Sequence, residues 1–201
     1  CTMLCAIAIL VIVAPDTPRT DYLISCGANV EASGGVVGVW RHANARVRGM
    51  KRVQVEPPLS ITGACSAEWV PIKPKTDAAF LFALMHVLVH EAGRERLDLP
   101  FLVKRTASPY LVGPNGYYLR DRATRKPLVW DGARGEAVPF DTPGMDEALE
   151  GRFEADAIEI GPDDAVLAEG RLPGTTAFTL TVDHLKPYSP EWAETVCEVP
   201  A

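Results

Sequence analysis

Three short stretches of the sequence carry residue types that could bind a nucleotide. The turn Gly27-Ala28-Asn29 follows an apolar run, Glu56 ends a second run, and Asp77 stands at the start of a long apolar segment. A glycine turn lets the backbone approach a ligand closely, and an acidic residue ending the second strand is placed to accept hydrogen bonds from ribose hydroxyls. A carboxylate such as Asp77 can accept both N–H groups on a guanine edge. A plain structural turn and a capped core helix are the alternatives that these residues leave open.

The elements around the glycine turn predict a β–α–β unit. Asp21–Cys26 is a short apolar run typical of a buried strand, and Lys51–Val55 is the next strand candidate. Between them, apolar residues recur at helical spacing over 36–47, and Gly49 is placed to end that helix. A right-handed crossover makes the two strands parallel. The helix after the turn could offer its N-terminus to a pyrophosphate, although the turn does not follow the GxGxxG pattern.

The segment before the second predicted helix has the signature of a helix start. Thr76 is a natural N-cap, and Asp77 puts a carboxylate in the first turn, where the helix dipole favours it. From Ala78 to Val89 the segment is apolar nearly all round. We therefore expect this helix to be buried on several sides.

Taken in order, these motifs resemble the molybdopterin oxidoreductases of the dimethyl-sulfoxide-reductase type. The order is GAN, a helix, a strand ending in an acidic residue plus proline, and then WVPIKPKTDAAFLFALMHVL. The usual forms in that family are G-x-N-P, D-P-R and W-[LV]-P-I-R-P-G-T-D. The similarity continues through TASPYLVGPNGYYLRD and KPLVWD to PYSPEWAETVCEVP, so it covers about residues 20 to 201.

The resemblance implies a set of cofactor-binding positions. The GAN turn matches the loop that lies against the pyrophosphate of a bound guanine-dinucleotide pterin. The acidic residue matches that of D-P-R, a ribose or guanosine contact, and the later segment matches I-R-P-G-T-D, whose aspartate is the best candidate for guanine recognition. The matching positions in this sequence are Gly27, Asn29, Glu56, Lys73, Pro74, Thr76 and Asp77.

Three positions depart from the family pattern. Pro58 stands where the family has Arg, which removes a phosphate or guanine contact. Lys73 replaces Arg, so the charge is kept while the bidentate geometry is lost. Lys75 replaces Gly, which makes the turn less permissive.

The fold class expected from these patterns is α/β. A Rossmann-like parallel βαβ unit that binds a nucleotide is followed by an irregular β-rich insertion and helices. Residues 1–96 form the α/β portion that binds molybdopterin guanine dinucleotide, and residues 97–201 form the β-rich insertion with C-terminal helices. Short strands are predicted at Tyr110–Val112, Tyr117–Arg120 and Leu128–Trp130, and a helix start is predicted at Ser189-Pro190-Glu191.

The function implied by the resemblance is that of an interior fragment of a catalytic subunit. It would hold the guanine-nucleotide part of a bis-molybdopterin guanine dinucleotide cofactor with molybdenum, for oxygen-atom or hydride transfer to or from a small substrate. Such a fragment is expected to be inactive alone. The implied partners are the rest of that subunit, an iron–sulfur electron-transfer subunit and a membrane anchor subunit, with iron–sulfur clusters outside this segment. The alternatives are a structural electron-transfer subunit lacking molybdenum and a Rossmann-type dehydrogenase that uses a nicotinamide cofactor.

Composition and residue spacing argue against several other kinds of site. A net charge of −6 without a basic cluster argues against a nucleic-acid partner. The five cysteines form no CxxC pair, which predicts free thiols and neither a metal ligand nor an iron–sulfur cluster here. His86 and His90 have a zinc-like i, i+4 spacing, but no third ligand accompanies them and structural histidines are favoured. No catalytic residue is assigned.

The first residues form a separate apolar stretch. Met3–Ala14 is almost wholly apolar but too short to span a bilayer as a helix. No basic region precedes it, so a buried strand or part of a longer element is favoured over a signal-peptide core. The sequence leaves cytoplasm and periplasm open as compartments.

Overall fold

The computed structural model describes residues 16–201, so the predicted apolar element at Met3–Ala14 lies outside the described residues. These residues divide into two compact units. The first comprises the described residues up to Phe80 together with Ala193–Ala201, and the second comprises Leu81–Trp192. None of the helices in residues 16–201 is both long and apolar enough to cross a membrane.

The first unit is built on a three-stranded parallel sheet with the strand order β1-β2-β3. Its strands are β1 (Tyr22–Cys26), β2 (Lys51–Val55) and β3 (Glu68–Val70). Its helices are α1 (Val30–Ser33), α2 (Gly35–Arg48), α3 (Ile61–Ala64) and the start of α4 (Asp77–His86), and α7 (Pro190–Cys197) contributes its second half. The parallel pairing of β1 with β2 across a helix agrees with the β–α–β unit that the sequence predicts.

Helix α2 ends where the sequence predicts but presents a different face from the one the apolar pattern indicates. Gly49 follows Arg48 in the left-handed conformation, and its N–H caps the carbonyls of Ala45 and Arg46. The apolar residues at Val36, Val37, Trp40 and Val47 are 64% to 90% exposed. Gly38, Val39 and His42 are partly buried instead, and Ala45 is the buried residue of this helix.

Helix α4 is shorter and less buried than the prediction for Ala78–Val89. It ends at His86 and is followed by a π-helical turn over Val87–Glu91. Leu81, Met85 and Leu88 are 43%, 39% and 49% exposed, so the expectation of burial on several sides was wrong. These three residues recur at helical spacing on one face, and only the opposite face, with Ala79 and Ala83, is buried.

The second unit is centred on a four-stranded antiparallel sheet with the order β4-β9-β8-β5 and a two-stranded β6-β7 ribbon. After a 3-10 turn at Arg94–Arg96, its elements are α5 (Leu99–Arg105), β4 (Leu111–Val112), β5 (Leu119–Arg120), β6 (Leu128–Asp131), β7 (Glu136–Pro139), β8 (Arg152–Ile160), a 3-10 turn at Pro162–Asp164, β9 (Val166–Thr176) and α6 (Ala177–Leu185). The three short strands predicted from sequence overlap β4, β5 and β6, which begin at or after the predicted residues, whereas β7 and the long β8–β9 hairpin were missed.

The long hairpin was missed because β9 contains residues that normally interrupt strands. Gly170, Pro173 and Gly174 all lie within it. Proline lacks a donor, so it is tolerated where one side of the strand has no hydrogen-bonded neighbour. Pro173 pairs with Glu154 on β8, while β4 pairs with β9 only at Thr175 and Thr176.

A buried carboxylate organises one turn of this sheet. Glu159 on β8 is fully buried, and its oxygens accept hydrogen bonds from the backbone N–H groups of Asn115 and Tyr117 and from the Asn115 side-chain amide. A Cβ on Gly113 would lie 2.6 Å from the Glu159 carboxyl carbon, so the turn requires glycine there. The turn Gly113–Gly116 is therefore fixed by one acidic side chain.

We predict that Glu159→Gln lowers the free energy of unfolding by about 1–3 kcal/mol, because an amide NH₂ would face backbone donors and leave them unsatisfied. Glu169→Gln is the matched control, since Glu169 lies on the neighbouring strand with a side chain that is 59% exposed. Urea unfolding measures both variants. Equal effects of the two substitutions would contradict the role of Glu159.

Candidate functional site

The loops that follow the three parallel strands carry the residues predicted to bind a nucleotide. Gly27 and Asn29 follow β1, Glu56 follows β2, and the segment 71–77 follows β3. Because the strands are parallel, these loops leave the sheet at the same edge, the carboxyl edge at which open α/β sheets bind ligands. Two hydrogen bonds attach the first two loops to the ends of the neighbouring strands: the Gly27 N–H donates to the Val55 carbonyl at 2.9 Å, and the Glu56 N–H donates to the Val70 carbonyl at 3.2 Å.

The turn after β1 is open on the side that a ligand would approach. Gly27 has a φ of +64°, a left-handed conformation that favours glycine, and a Cβ built on it would meet nothing within 4 Å. Asn29 is oriented by the Thr62 hydroxyl, which donates to its Oδ1 at 2.9 Å. Among the described residues no hydrogen bond involves its Nδ2, so this amide keeps two donors for a ligand.

The helix after this turn differs from the expectation. One turn of helix, α1, follows Asn29, and Gly34 separates it from α2, which begins at Gly35. Gly35 has a φ of +64°, which breaks the helix between the two segments. The N-terminus of the long helix therefore does not begin at the Gly27 turn.

Glu56 is 5% exposed, and both of its carboxylate oxygens have internal partners. Oε1 accepts from the Ser60 N–H at 2.7 Å, and Oε2 accepts from Gln54 Nε2 at 2.9 Å. Burial raises the pKa of Glu56. The hydrogen bonds from Ser60 and Gln54 and the charge of Arg52 lower it by a larger amount, so the pKa lies below its ordinary value. The carboxylate thus shapes the loop, and the ribose contact stays a prediction.

The segment after β3 presents polar groups to solvent. Lys73, Pro74 and Asp77 are exposed, and Asp77 is the first residue of α4, as the sequence predicts. The Thr76 hydroxyl, predicted as an N-cap, donates to the Lys73 carbonyl at 2.7 Å and closes the turn. Lys73 Nζ pairs with Glu198 Oε1 at 2.9 Å, and both side chains are more than half exposed. Such an exposed pair is weak, so the ammonium can exchange Glu198 for another anion.

Asp77 lies close enough to the end of β1 to act on the thiol of Cys26. Burial raises the pKa of Cys26, and the Asp77 carboxylate raises it further. The Asp77 carboxylate is therefore near enough to the Cys26 thiol to act on it electrostatically.

A buried polar network beneath these loops was missed from the sequence. Arg52 is 1% exposed, and its guanidinium donates to the Ser66 hydroxyl at 2.9 Å and to the Thr62 carbonyl at 2.9 Å. It also pairs with Glu31 at 2.7 Å and contacts His42 Nδ1 at 3.1 Å. The signal was available: Arg52, Gln54 and Glu56 alternate along the central strand of a parallel sheet, whose two faces are normally apolar.

The other candidate residues have structural roles. The rings of His86 and His90 contact the carbonyls of Leu185 and Val182 at 2.8 and 3.0 Å. No group of three His, Cys, Asp or Glu residues in the described part of the chain could hold a metal. The described cysteines are free, as predicted, and they are Cys26, Cys65 and Cys197.

Lys75 generates a stability prediction because it has a φ of +70° at the position where the family has glycine. A left-handed non-glycine residue is strained by about 1–3 kcal/mol, partly offset by the extra flexibility of glycine in the unfolded chain. We expect Lys75→Gly to raise the free energy of unfolding by about 1 kcal/mol. Lys186→Gly, at a right-handed helix end, is the control and should lower it. A Lys75→Gly protein no more stable than the parent would count against this turn geometry.

The Arg52 network generates a pH prediction. Burial lowers the pKa of His42, and the Arg52 charge lowers it further. The unfolded chain therefore binds this proton first, so stability falls as pH drops below the ordinary histidine pKa toward the folded one. His42→Asn keeps an acceptor for Arg52 without titrating, and we expect a shallower loss of stability over that pH range. Identical pH profiles of the unfolding free energy in both proteins would refute this role.

No family model matches the chain, but several known proteins are similar to it. The chain is 30% identical over 168 residues to the A subunit of sulfite dehydrogenase from Allochromatium vinosum, an alignment that covers 77% of this chain. It is 35% identical over 94 residues to the molybdopterin-containing PhsA subunit of thiosulfate reductase from Salmonella typhimurium, which covers 47% of this chain. It is 38% identical over 103 residues to dimethyl sulfoxide reductase DmsA of Haemophilus influenzae, which covers 49%.

These alignments span 16%, 12% and 12% of the three relatives, so the chain corresponds to a small part of each. The alpha subunit of a perchlorate reductase from Dechloromonas aromatica is similar over 70% of this chain. All four relatives are oxidoreductases by name. The chain belongs to the molybdopterin oxidoreductases of the dimethyl-sulfoxide-reductase type.

Proposed function

We propose that this chain holds the guanine-nucleotide end of a molybdopterin guanine dinucleotide cofactor in the catalytic subunit of a molybdenum oxidoreductase. The observation that carries the proposal is the convergence of three loops at one carboxyl edge of a parallel sheet. In a Rossmann-like unit, that edge is where a nucleotide lies. Family membership indicates a molybdopterin cofactor, and the polar groups at the carboxyl edge of the sheet support the guanine dinucleotide form of it.

The groups at this edge suit a guanine nucleotide. Asp77 is an exposed carboxylate, which can accept the two N–H groups of a guanine edge. Asn29 has amide donors without a partner among the described residues, and Lys73 has an exposed ammonium, so both can contact anionic oxygens. Gly27 leaves the space beside its Cα empty, which allows a close approach of pyrophosphate to the backbone. Pro74 and Thr76 shape the segment that carries Lys73 and Asp77.

The chain's own share of the chemistry is binding and orientation. When bound, the molybdenum centre of this cofactor class supplies exchange of an oxygen atom or hydride equivalent with the substrate. The chain fixes the distant nucleotide end, and this fixes where the reactive centre stands. The buried, ionised Glu56 contributes negative charge under the loops and holds the Ser60 turn.

The whole protein is proposed to act with an iron–sulfur electron-transfer partner on a small oxo substrate. Three of the similar proteins carry the names sulfite dehydrogenase, thiosulfate reductase and dimethyl sulfoxide reductase. A sulfur-oxo compound is therefore the substrate class we propose.

One observation favours a second function, a structural subunit without molybdenum: Pro58 replaces the arginine of the family motif. The nicotinamide-dependent alternative is displaced by the family assignment.

The test is the molybdenum and GMP content of the complete gene product, expressed with an intact molybdenum-cofactor pathway. We expect both molybdenum and GMP after acid hydrolysis of the purified protein. Absence of both would overturn the proposal and favour the structural-subunit function.

We further predict that Asp77→Asn reduces the bound GMP and molybdenum by about 10-fold or more. The amide presents a donor toward the guanine N–H groups, and loss of a charge-assisted hydrogen bond costs about 1.5–3 kcal/mol. Glu191→Gln is the matched control because Glu191 is also an exposed first-turn carboxylate, on α7. It should retain the cofactor. Wild-type cofactor content in Asp77→Asn would remove Asp77 from the site.

A further inference from the structure

Gln54 joins two of the three loops of the candidate site. It is fully buried in β2, and its Nε2 donates to the Ala28 carbonyl at 3.1 Å and to Glu56 Oε2 at 2.9 Å. The first acceptor belongs to the glycine turn after β1, and the second belongs to the loop after β2. One amide nitrogen therefore ties the turn Gly27–Asn29 to the Glu56 carboxylate.

The orientation of this amide is fixed by its partners. The opposite orientation would place Oε1 against the Ala28 carbonyl and the Glu56 carboxylate, and all three are acceptors. In the observed orientation, Oε1 is buried and has no hydrogen-bond partner among the described residues. A buried acceptor without a partner is unfavourable for folding, so this glutamine is a costly way to fill the space.

An apolar side chain of similar size would fill the same space without that cost. Central strands of parallel sheets are normally apolar on both faces, and Val53 and Val55 follow this rule on the other face of β2. A residue that costs stability and links two ligand-binding loops has the character of a functional residue. The loss of stability is accepted because it maintains the Gln54 Nε2 hydrogen bonds to Ala28 and Glu56.

We propose that Gln54 is a positioning residue for the bound nucleotide, acting through the Ala28 turn and Glu56. The inference rests on the proposed function. With the link in place, the Gly27 turn is preorganised, and the nucleotide does not have to order it on binding. Thr62 holds Asn29, so the middle and the last residue of the turn are both fixed before the cofactor arrives.

Gln54→Leu in the complete, cofactor-loaded protein tests the proposal. The leucine removes the hydrogen-bond donor and fills the same space with an apolar side chain of similar size. We expect GMP and molybdenum to be lost from the protein about 10-fold faster than from wild type, which corresponds to about 1.4 kcal/mol. Val53→Ala is the matched control: it weakens the same strand on its opposite face and should lose cofactor at the wild-type rate.

Gln54→Glu supplies a readout that a purely structural role would not move. The introduced carboxyl group has no donor when deprotonated and then faces the Glu56 carboxylate, whereas protonation restores one O–H donor. Burial and the neighbouring carboxylate raise the pKa of the introduced group, against the opposing charge of Arg52. We expect fast cofactor loss at about pH 8 and slower loss at about pH 6, a change absent from wild type and Gln54→Leu.

The outcomes separate the inference from the function on which it rests. A wild-type protein without GMP and molybdenum overturns the proposed function, and this inference with it. A loaded wild type with unchanged cofactor loss in Gln54→Leu overturns only the role of Gln54. If Gln54→Leu does not fold, the pH dependence of Gln54→Glu decides: a pH-independent rate overturns the role, and slower loss at low pH supports it.

Discussion

The first unit depends on a row of polar side chains buried along one face of its central strand. Arg52, Gln54 and Glu56 alternate with Val53 and Val55, so β2 is polar on one face and apolar on the other. Buried polar groups are tolerated only when they are hydrogen-bonded or paired. The hydrogen bonds and ion pairs of these side chains fix the surrounding loops and helices relative to the strand.

Each member of the row holds a different part of the site. Arg52 ties α1, α2 and α3 to the strand through Glu31, His42 and the Thr62 carbonyl. The Thr62 hydroxyl then orients Asn29 in the loop after β1. Farther along the row, Glu56 fixes the turn that leads to α3. The loops of the candidate site thus receive their geometry from beneath, while their outer groups stay available to a ligand.

The elements that follow local rules were predictable from the sequence. Gly49 ended α2 because a left-handed residue closes a helix, and Ser189 capped α7 with its hydroxyl 3.3 Å from the Trp192 N–H. The β8–β9 hairpin was not predictable, because its glycines and proline are accommodated only by the pairing of distant strands. The hydrogen bond that Glu56 accepts from the Ser60 N–H was not predictable either, because it depends on the conformation of the turn after Glu56. For the site, residue types and their order indicated which loops carry the candidate residues, but not the buried network that supports those loops.

The structure shows the conformation or the contacts of the three residues that depart from the family pattern. Lys75 adopts the left-handed conformation that glycine would favour, so the turn keeps its shape at an energetic cost. Lys73 keeps its charge and pairs with Glu198. Pro58 lies in the loop between Glu56 and Ser60, where the hydrogen bond between these two residues closes the turn. The proposed nucleotide site therefore has one fewer cationic group than the family pattern.

The most direct test of this account is an experimental structure of the complete protein purified with its cofactor. The account predicts that a guanine edge lies within hydrogen-bond distance of the Asp77 carboxylate and that the adjoining phosphates lie along the Gly27–Asn29 turn. A cofactor present in that structure with its nucleotide bound elsewhere, and with Asp77 facing only solvent, would contradict the central claim.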